Sequence, residues 1–340
     1  MPEFSPSPNY RDAPPYRTGL LLVNSGTPDS LTSGGVRDFL RRLLSDRRTI
    51  ETPRLIWNPI LYGIILTLRP SRVLPKYRRV WTERGSPLLF HSVALRDALR
   101  ASLKDAHGAP VAVELGMLYS TPDVTQGLAA LREAGAERII VLPLFPQYSG
   151  TTNAAAMDQV GTALRGWRLV PELHVLPDYA TEPHYIQALA GTVRAHRARH
   201  GEGDHLLMTF HGIPKSYCDQ GDPYERRCQL TARALADALG LHADQWSMSF
   251  QSRVGAAEWL KPYTEETLLK LAKRGVKHLD AICPGFAVDC LETVDEIGHE
   301  GAETFLEAGG ESLRYIPALN ADAVHVDLIS RLVRPLLQPN

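Results

Sequence analysis

Short apolar runs alternate with helical stretches along most of the chain, and this alternation restricts its fold more than any other feature. The runs have the length and the residue types of buried strands, and the stretches between them are long enough for helices. Repeated alternation of strand and helix is typical of α/β proteins with a mainly parallel sheet. The strand-like runs are residues 19–24, 111–115, 138–145, 169–175, 205–210, 245–250 and 278–283.

The spacing of these runs predicts two similar α/β lobes with an active-site cleft between them. We expect each lobe to be Rossmann-like, with its sheet flanked by helices. The expected N-terminal lobe is residues 18–165 and the C-terminal lobe residues 166–320, and a last helix within 321–340 is expected to pack back on the first lobe. Residues 1–17 are rich in proline and lack an apolar run of signal-peptide length, so we predict a disordered or loosely docked arm.

Composition excludes several classes of protein. The formal net charge of the 340 residues is −1 and no basic stripe is present, so nucleic acid is not an expected partner. No run of 18 apolar residues predicts a membrane-spanning helix. Neither a dinucleotide-binding nor a P-loop glycine motif occurs. The cysteines favour cytoplasmic thiols over disulfides and give only weak support for a zinc or iron–sulfur site, because no C-x-x-C pair is present.

The segment 53–68 is too apolar and aromatic for an ordinary surface helix. Pro59 and Gly63 interrupt it, and it is too short to span a bilayer. Three interpretations stay open: a core helix, an apolar lip over a binding cleft, or a patch that touches a membrane surface.

A row of carboxylates follows the apolar run that ends near residue 286. On a straight helix these side chains fall within a sector of about 80°, opposite an apolar face. A solvated outer face is one interpretation. However, no Lys or Arg interrupts the row, and it begins where a buried strand ends, which is where open α/β sheets bind ligands. Oxygen ligands in a row can hold a divalent cation loosely. The members are Asp289, Glu292, Glu296, Glu300 and Glu303.

The members of this row have different expected roles. Asp289 is expected to cap the helix, where a negative charge is favoured. Glu303 is expected to be solvated. Gly298 and Gly301 predict an irregular helix, which would move the outer carboxylates away from the ideal row.

Polar side chains also follow several other strand-like runs. His211 comes directly after residues 205–210, so we expect it in the same crevice as the carboxylates, as a general base or a metal ligand. The turn after the first run could approach a ligand closely, hydroxyl groups after the third could bind a carboxylate or phosphate, and a cation with an aromatic ring after the sixth suits a planar ligand with carboxylates. The candidates in these loops are Ser25, Tyr148, Ser149, Ser252, Arg253 and Trp259.

Several ordered blocks of sequence together resemble the signature blocks of the ferrochelatase family. The resemblance extends from about residue 19 to the C-terminus, which makes it far more specific than a single motif. The blocks are residues 22–28 (LVNSGTP), 45–47 (SDR), 85–87 (GSP), 146–149 (PQYS), 210–214 (FHGIP), 221–224 (GDPY), 250–255 (FQSRVG), 259–262 (WLKP) and 284–293 (PGFAVDCLET).

The resemblance implies a lyase of haem biosynthesis that inserts Fe²⁺ into a porphyrin and releases two protons. It implies that His211 and Glu292 are the central catalytic and metal-binding pair. It also implies that Glu296 and Glu300 form a path for the metal or for protons.

The resemblance further implies a porphyrin mouth lined by Arg69 and Tyr77, with the apolar segment 53–68 as its lip. The loop candidates, including Ser25, Ser252 and Trp259, would bind the porphyrin there. The wording of the blocks favours protoporphyrin IX over coproporphyrin III, which stays the alternative. A non-catalytic tetrapyrrole or metal carrier and a cobalt or nickel chelatase are the other readings.

Some positions depart from the family pattern. Ser25 replaces a larger apolar residue, Val288 replaces a small polar one, and Cys290 stands where relatives carry either His or Cys, which leaves metal binding there open. The cysteine-rich C-terminal extension of some relatives is lacking, so we expect no [2Fe–2S] cluster and no tightly bound cofactor. We expect a monomeric cytoplasmic protein whose peripheral contact with the inner membrane, if any, is through residues 53–68.

Overall fold

The computed structural model describes residues 17–105, 108–255 and 257–337. It contains two four-stranded parallel sheets flanked by helices, which confirms the predicted class of two Rossmann-like lobes. Contacts divide the chain into two compact units. The predicted N-terminal arm lies outside the described residues except for Arg17, with which the first strand begins.

The first unit lies within residues 17–144, 150–178 and 326–337. Its sheet has the order β2-β1-β3-β4. The strands are β1 (Arg17–Asn24), β2 (Ala112–Met117), β3 (Ala136–Pro143) and β4 (Glu172–Val175). The helices are α1 (Ser33–Leu44), α2 (Arg54–Ile60), α3 (Leu66–Val80), α4 (Pro87–Ser102), α5 (Val124–Glu133) and α6 (Ala155–Leu164), with π-helical turns at Leu61–Ile65 and Gly150–Ala154. The central β1 is an almost uninterrupted apolar run because helices cover both faces of a parallel sheet.

The second unit comprises residues 145–149 and 179–325. Its sheet has the order β6-β5-β7-β8. The strands are β5 (His205–His211), β6 (Trp246–Gln251), β7 (His278–Ile282) and β8 (Ser312–Ile316). The helices are α7 (Pro183–His200), α8 (Lys215–Asp219), α9 (Tyr224–Leu239), α10 (Thr264–Lys273), α11 (Leu291–Val294) and α12 (Ala302–Glu307), with a π-helical turn at Glu296–Gly301. The chain ends its described part with α13 (Ala323–Val333) and a 3-10 turn at Arg334–Leu337.

The division between the units differs from the expected boundary near residue 165. β4 was expected to open the second lobe, but it pairs in parallel with β3 over four residues, so the first unit continues to Asp178. The backbone hydrogen bonds of the ladder, and not the order along the chain, decide to which sheet a strand belongs. The edge strand β8 was not predicted, because its five residues include Ser312 and Arg314 and most are only half-buried.

Both sheets place the first strand of their unit between the second and the third. In open sheets of this order, ligands bind at the carboxyl end of that strand, where the connections diverge to opposite faces. β1 ends at Asn24 and β5 ends at His211. The strand order therefore marks Asn24, directly before Ser25, and His211 as occupants of equivalent positions in the two units.

The apolar segment 53–68 is helical and much of it is exposed to solvent. The exposed fractions are 92% for Leu55, 59% for Ile56 and 55% for Ile64. A core helix is therefore the wrong interpretation, and the two surface interpretations remain. Among the helices of the described ranges, none combines the length and the apolar character that a membrane-spanning segment requires.

Candidate active site

His211 is the last residue of β5 and is half-buried. Its Nδ1 lies 2.7 Å from the carbonyl oxygen of Gly212. Because a carbonyl oxygen only accepts hydrogen bonds, Nδ1 carries the proton in this contact. In the neutral ring the lone pair is then on Nε2, so Nε2 is the nitrogen that can accept a proton or bind a metal ion.

Two aromatic rings flank the imidazole. The ring centroids of Trp259 and Phe286 lie 6.4 and 6.5 Å from that of His211. The backbone between them is tight: a Cβ at Gly212 would lie 2.9 Å from the carbonyl oxygen of Gln251 and 3.1 Å from the indole of Trp259. Only glycine fits at position 212, and the site has flat apolar walls.

Glu296 is held by both hydrogen-bond donors of one residue. The backbone N–H of Ser252 donates to Oε1 and the Ser252 hydroxyl donates to Oε2, each at 2.6 Å. Burial raises the pKa of Glu296; the hydrogen bonds from Ser252 and the nearness of His211 lower it in part, and Glu292 raises it. The carboxylate is therefore electrostatically linked to both members of the predicted central pair.

Ser252 achieves this double contact in a conformation that few side chains adopt. Its φ is +66°, in the left-handed region. Non-glycine residues with such φ values are strained, and strain of this kind is concentrated at functional sites. The position directly follows β6, beside the carboxyl end of β5.

Glu292 lies in α11 and is half-buried. Its backbone carbonyl accepts a hydrogen bond of 2.6 Å from the side-chain amide of Gln251, and Gln251 pairs with His211 in the sheet. Burial, followed by the nearness of Glu292, raises the pKa of the Cys290 thiol. Both effects favour the protonated thiol, which is a poor metal ligand.

The row of carboxylates is not one continuous helix. α11 ends at Val294, a π-helical turn covers Glu296–Gly301, and α12 follows. The irregularity expected from the glycines is therefore confirmed, whereas the single 80° sector is wrong, because a π-turn inserts a residue and rotates everything after it. Glu300 is half-buried in this turn and Glu303 is exposed.

Asp289 was predicted to cap the helix, and this prediction is wrong. Cys290 occupies the N-cap position of α11, and Asp289 is only 7% exposed. Its oxygens accept hydrogen bonds from four donors: the Thr293 and Tyr315 hydroxyls, the Ala318 N–H and the Asn320 amide.

Three further candidates lie in loops of the second unit. The guanidinium of Arg253 lies 4.6 Å from the ring centroid of Tyr263. Ser149 is almost fully buried, and its hydroxyl donates to Asp222 at 2.9 Å. Tyr148 beside it is half-buried.

The remaining candidates lie in the first unit. Ser25 is half-buried, and its N–H donates to the Asn24 side chain at 2.8 Å. Arg69 is half-buried, and burial, opposed by the nearness of Tyr77, lowers the pKa of its guanidinium. Tyr77 is buried, with its ring edge-on to Trp81 at 6.5 Å.

The structure thus gathers His211, Glu292, Glu296, Ser252 and Trp259 around the carboxyl ends of β5 and β6. Within the described ranges, no three His, Cys, Asp or Glu side chains form a group that could hold a metal ion. One nitrogen with a free lone pair beside carboxylate oxygens could bind a divalent cation transiently and accept protons.

Sequence reasoning missed Gln251 and Phe286. Both stood inside quoted blocks, but nothing in their residue types pointed to the site. Gln251 could have been found from the alignment of the strands. If β5 and β6 are aligned at their carboxyl ends, Gln251 lies beside His211, as the structure shows.

A model of the protein family described as Ferrochelatase matches residues 17–337. Ferrochelatase from Aeromonas hydrophila is 49% identical over 317 residues, which are 93% of this chain and 98% of that relative. Ferrochelatase from Klebsiella pneumoniae is 49% identical over 319 residues, which are 94% of this chain and 98% of that relative.

Solved structures share the fold at low sequence identity. SirB from Bacillus subtilis with Fe³⁺ has a TM-score of 0.56 at 12% identity, with 94% of each chain covered. CbiX, described as the terminal enzyme of sirohaem biosynthesis in denitrifying bacteria, has a TM-score of 0.51 at 13% identity, covering 93% of this chain and 98% of that one. At these identities the likeness concerns the fold alone.

Proposed function

The chain belongs to the ferrochelatase family and is an enzyme that inserts metal into a porphyrin; we propose that His211, Glu292 and Glu296 are the residues that carry out this insertion. The observations that support these roles best are the lone pair that the Gly212 contact leaves on Nε2 of His211 and the electrostatic link of Glu296 to both His211 and Glu292. Iron enters as substrate, so its ligands must both hold it and release it.

The chemistry requires a base and a weak metal site together. A porphyrin loses two pyrrole N–H protons for each Fe²⁺ that enters. Two positive charges leave and two enter, so the net charge of the macrocycle does not change. Nε2 of His211 accepts one pyrrole proton and the Glu296 carboxylate accepts the other, while the oxygens of Glu292 replace water on the ion. Since no three such side chains of the described residues form a metal-holding group, most coordination positions of the ion stay open, whereas a cage of four thiolates would retain it.

The proposed porphyrin contacts are apolar walls and cations. In the second unit, Trp259 and Phe286 offer flat surfaces to a planar macrocycle. In the first unit, a cavity is lined by Ile64 and Leu68 together with Arg69 and Arg72. Such a combination suits an apolar ring edge that carries carboxylates, so we propose Arg69 as a partner of a porphyrin propionate.

Anaerobic metalation assays test both the activity and the choice of porphyrin. We expect the purified protein to convert Fe²⁺ and protoporphyrin IX to haem, with a higher kcat/KM than for coproporphyrin III. The change in the visible absorption spectrum measures both rates. Tight porphyrin binding without any spectral conversion would instead identify a carrier, and faster conversion of coproporphyrin III would reverse the substrate preference.

We further propose peripheral contact of a monomer with an anionic membrane surface through residues 53–68. Residues 52–82 contain no Asp or Glu but six cations, which are Arg54, Arg69, Arg72, Lys76, Arg78 and Arg79. Exposed apolar side chains beside cations are typical of helices that lie in the interface of anionic bilayers, and each cation near the surface contributes about 1 kcal/mol. We also propose that the chain holds no [2Fe–2S] cluster.

Replacement of Leu55 by aspartate is expected to weaken binding to phosphatidylglycerol vesicles by at least about tenfold, because burial of a leucine contributes about 1.5–3 kcal/mol. Co-sedimentation measures the bound fraction. Leu306→Asp is the matched control, since Leu306 is 47% exposed and lies in the second unit. Equal loss in both variants, or equal binding to neutral phosphatidylcholine vesicles, would exclude this surface as the docking site.

A further inference from the structure

Asp289 and Asn320 form a reciprocal pair. The Asp289 backbone N–H donates to Oδ1 of Asn320, and the Asn320 amide nitrogen donates to Oδ2 of Asp289, each at 2.8 Å. The other oxygen of Asp289 accepts from Thr293, Tyr315 and the backbone of Ala318. A buried carboxylate that receives this many hydrogen bonds is fixed in place.

Asn320 is shaped for this pairing. Its φ is +49°, in the left-handed region, which asparagine tolerates better than most residues. Its N–H donates to the carbonyl of Ala287 at 3.1 Å, and its carbonyl oxygen lies 2.6 Å from Nδ1 of the buried His325. One residue therefore joins the loop after β7 to the loop after β8.

The pair is connected to the segment that carries the site carboxylates. Thr293, which donates to Asp289 at 3.1 Å, is the direct neighbour of Glu292. Tyr315 donates to Asp289 and also lies against the π-helical turn, since a Cβ at Gly298 would be 3.6 Å from its Cβ. Burial, followed by the nearness of Asp289, raises the pKa of Tyr315 well above its usual range, so its hydroxyl keeps the proton it donates.

We propose that Asp289 and Asn320 are positioning residues that hold α11 and the following π-turn so that Glu292 and Glu296 face His211. Asp289 is thus not a member of a metal path but the anchor of the carboxylates that follow it. This inference rests on the proposed function of Glu292 and Glu296. It assigns to the loop after β8 a role in metal insertion although that loop supplies no proposed metal ligand.

An exchange of the two side chains tests the pairing. In Asp289→Asn, the NH₂ group of the new amide replaces one of the two accepting oxygens. In one orientation it faces the amide donor of Asn320, and in the other it faces the N–H donor of Ala318, so one hydrogen bond is lost in either case. In Asn320→Asp, two carboxylates face each other across a contact of 2.8 Å. In the double variant Asp289→Asn/Asn320→Asp, every hydrogen bond of the pair can form again.

We expect each single variant to lower kcat/KM for Fe²⁺ by roughly ten- to hundredfold, as misplaced catalytic groups do, with the KM for porphyrin unchanged. The kcat/KM of the double variant is expected to recover to within about threefold of the parent value. Such recovery would show that the effects of the two substitutions are strongly coupled, as they are for residues in contact. If Asn320→Asp does not fold, Asn320→Gly removes the side chain, suits the positive φ, and is expected to show the same loss.

Asp204→Asn is the control for a purely structural effect. Asp204 accepts hydrogen bonds of 2.8 Å from the N–H groups of Lys277 and His278, at the amino end of the same sheet. It is expected to lower the melting temperature without changing the KM for Fe²⁺. Single variants that lose stability but keep parental metal kinetics, or a double variant that is not rescued, would overturn the inference. Glu292→Gln is measured alongside: if it is fully active, the proposed function itself fails.

Discussion

Replacement of His211 by alanine is expected to abolish measurable metalation while porphyrin binding survives. The substitution removes Nε2, the nitrogen left free by the contact of Nδ1 with Gly212, and leaves Trp259 and Phe286 in place. A positioned general base contributes about 10²–10⁴-fold to a rate, and loss of a metal contact adds to this. Anaerobic absorbance assays measure kcat, and quenching of porphyrin fluorescence measures the dissociation constant.

His278→Ala is the matched control, because His278 is exposed and lies at the amino end of β7, whereas His211 lies at the carboxyl end of β5 in the same sheet. It is expected to keep parental metalation. Full activity of His211→Ala would remove His211 from the reaction. Loss of porphyrin binding together with activity would show that the imidazole acts by shaping the binding surface and not as a base.

The fold and the strand-end residues were predictable because both depend on local patterns. Apolar runs with helices between them predict parallel sheets, and the end of β5 places His211 at the ligand edge without any knowledge of distant contacts. The assignment of β4 failed for a physical reason. Which of two sheets a short strand joins depends on backbone hydrogen bonds to a strand more than 30 residues earlier, and nothing in residues 172–175 encodes that partner.

The role of each carboxylate was predictable only in part. An ideal helix placed Asp289, Glu292 and Glu296 on one face, but their roles depend on groups far away in the chain. Ser252 holds Glu296 from the end of β6, and Asn320 holds Asp289 from the loop after β8. A carboxylate is therefore an anchor at one position and a candidate ligand at another, and the difference is set by which hydrogen-bond donors the fold brings to it.

The strand that leads to these carboxylates depends on one buried charge cluster. Asp280 in β7 is fully buried; one oxygen lies 2.9 Å from Nε of Arg197, and the other accepts from Nε of Arg314 at 3.0 Å. The N–H of Gly203 also donates to this carboxylate, at 3.2 Å. Both guanidinium groups are largely withdrawn from water, since the side chain of Arg197 is only 13% exposed and that of Arg314 20%.

Asp280→Ala is expected to lower the free energy of unfolding of the second unit by about 3–5 kcal/mol, because it removes the buried counter-charge that Arg197 and Arg314 share. Urea denaturation followed by circular dichroism measures the change. Glu202→Ala is the control: Glu202 binds the same Arg197 at 3.0 Å, but its side chain is 75% exposed, and such exposed pairs contribute about 0–1 kcal/mol. Similar losses in both variants would mean that burial does not strengthen the Asp280 cluster. A large loss of unfolding free energy in Asp280→Ala alone would show that the Asp280 cluster stabilises β7, the strand that precedes the segment with Glu292.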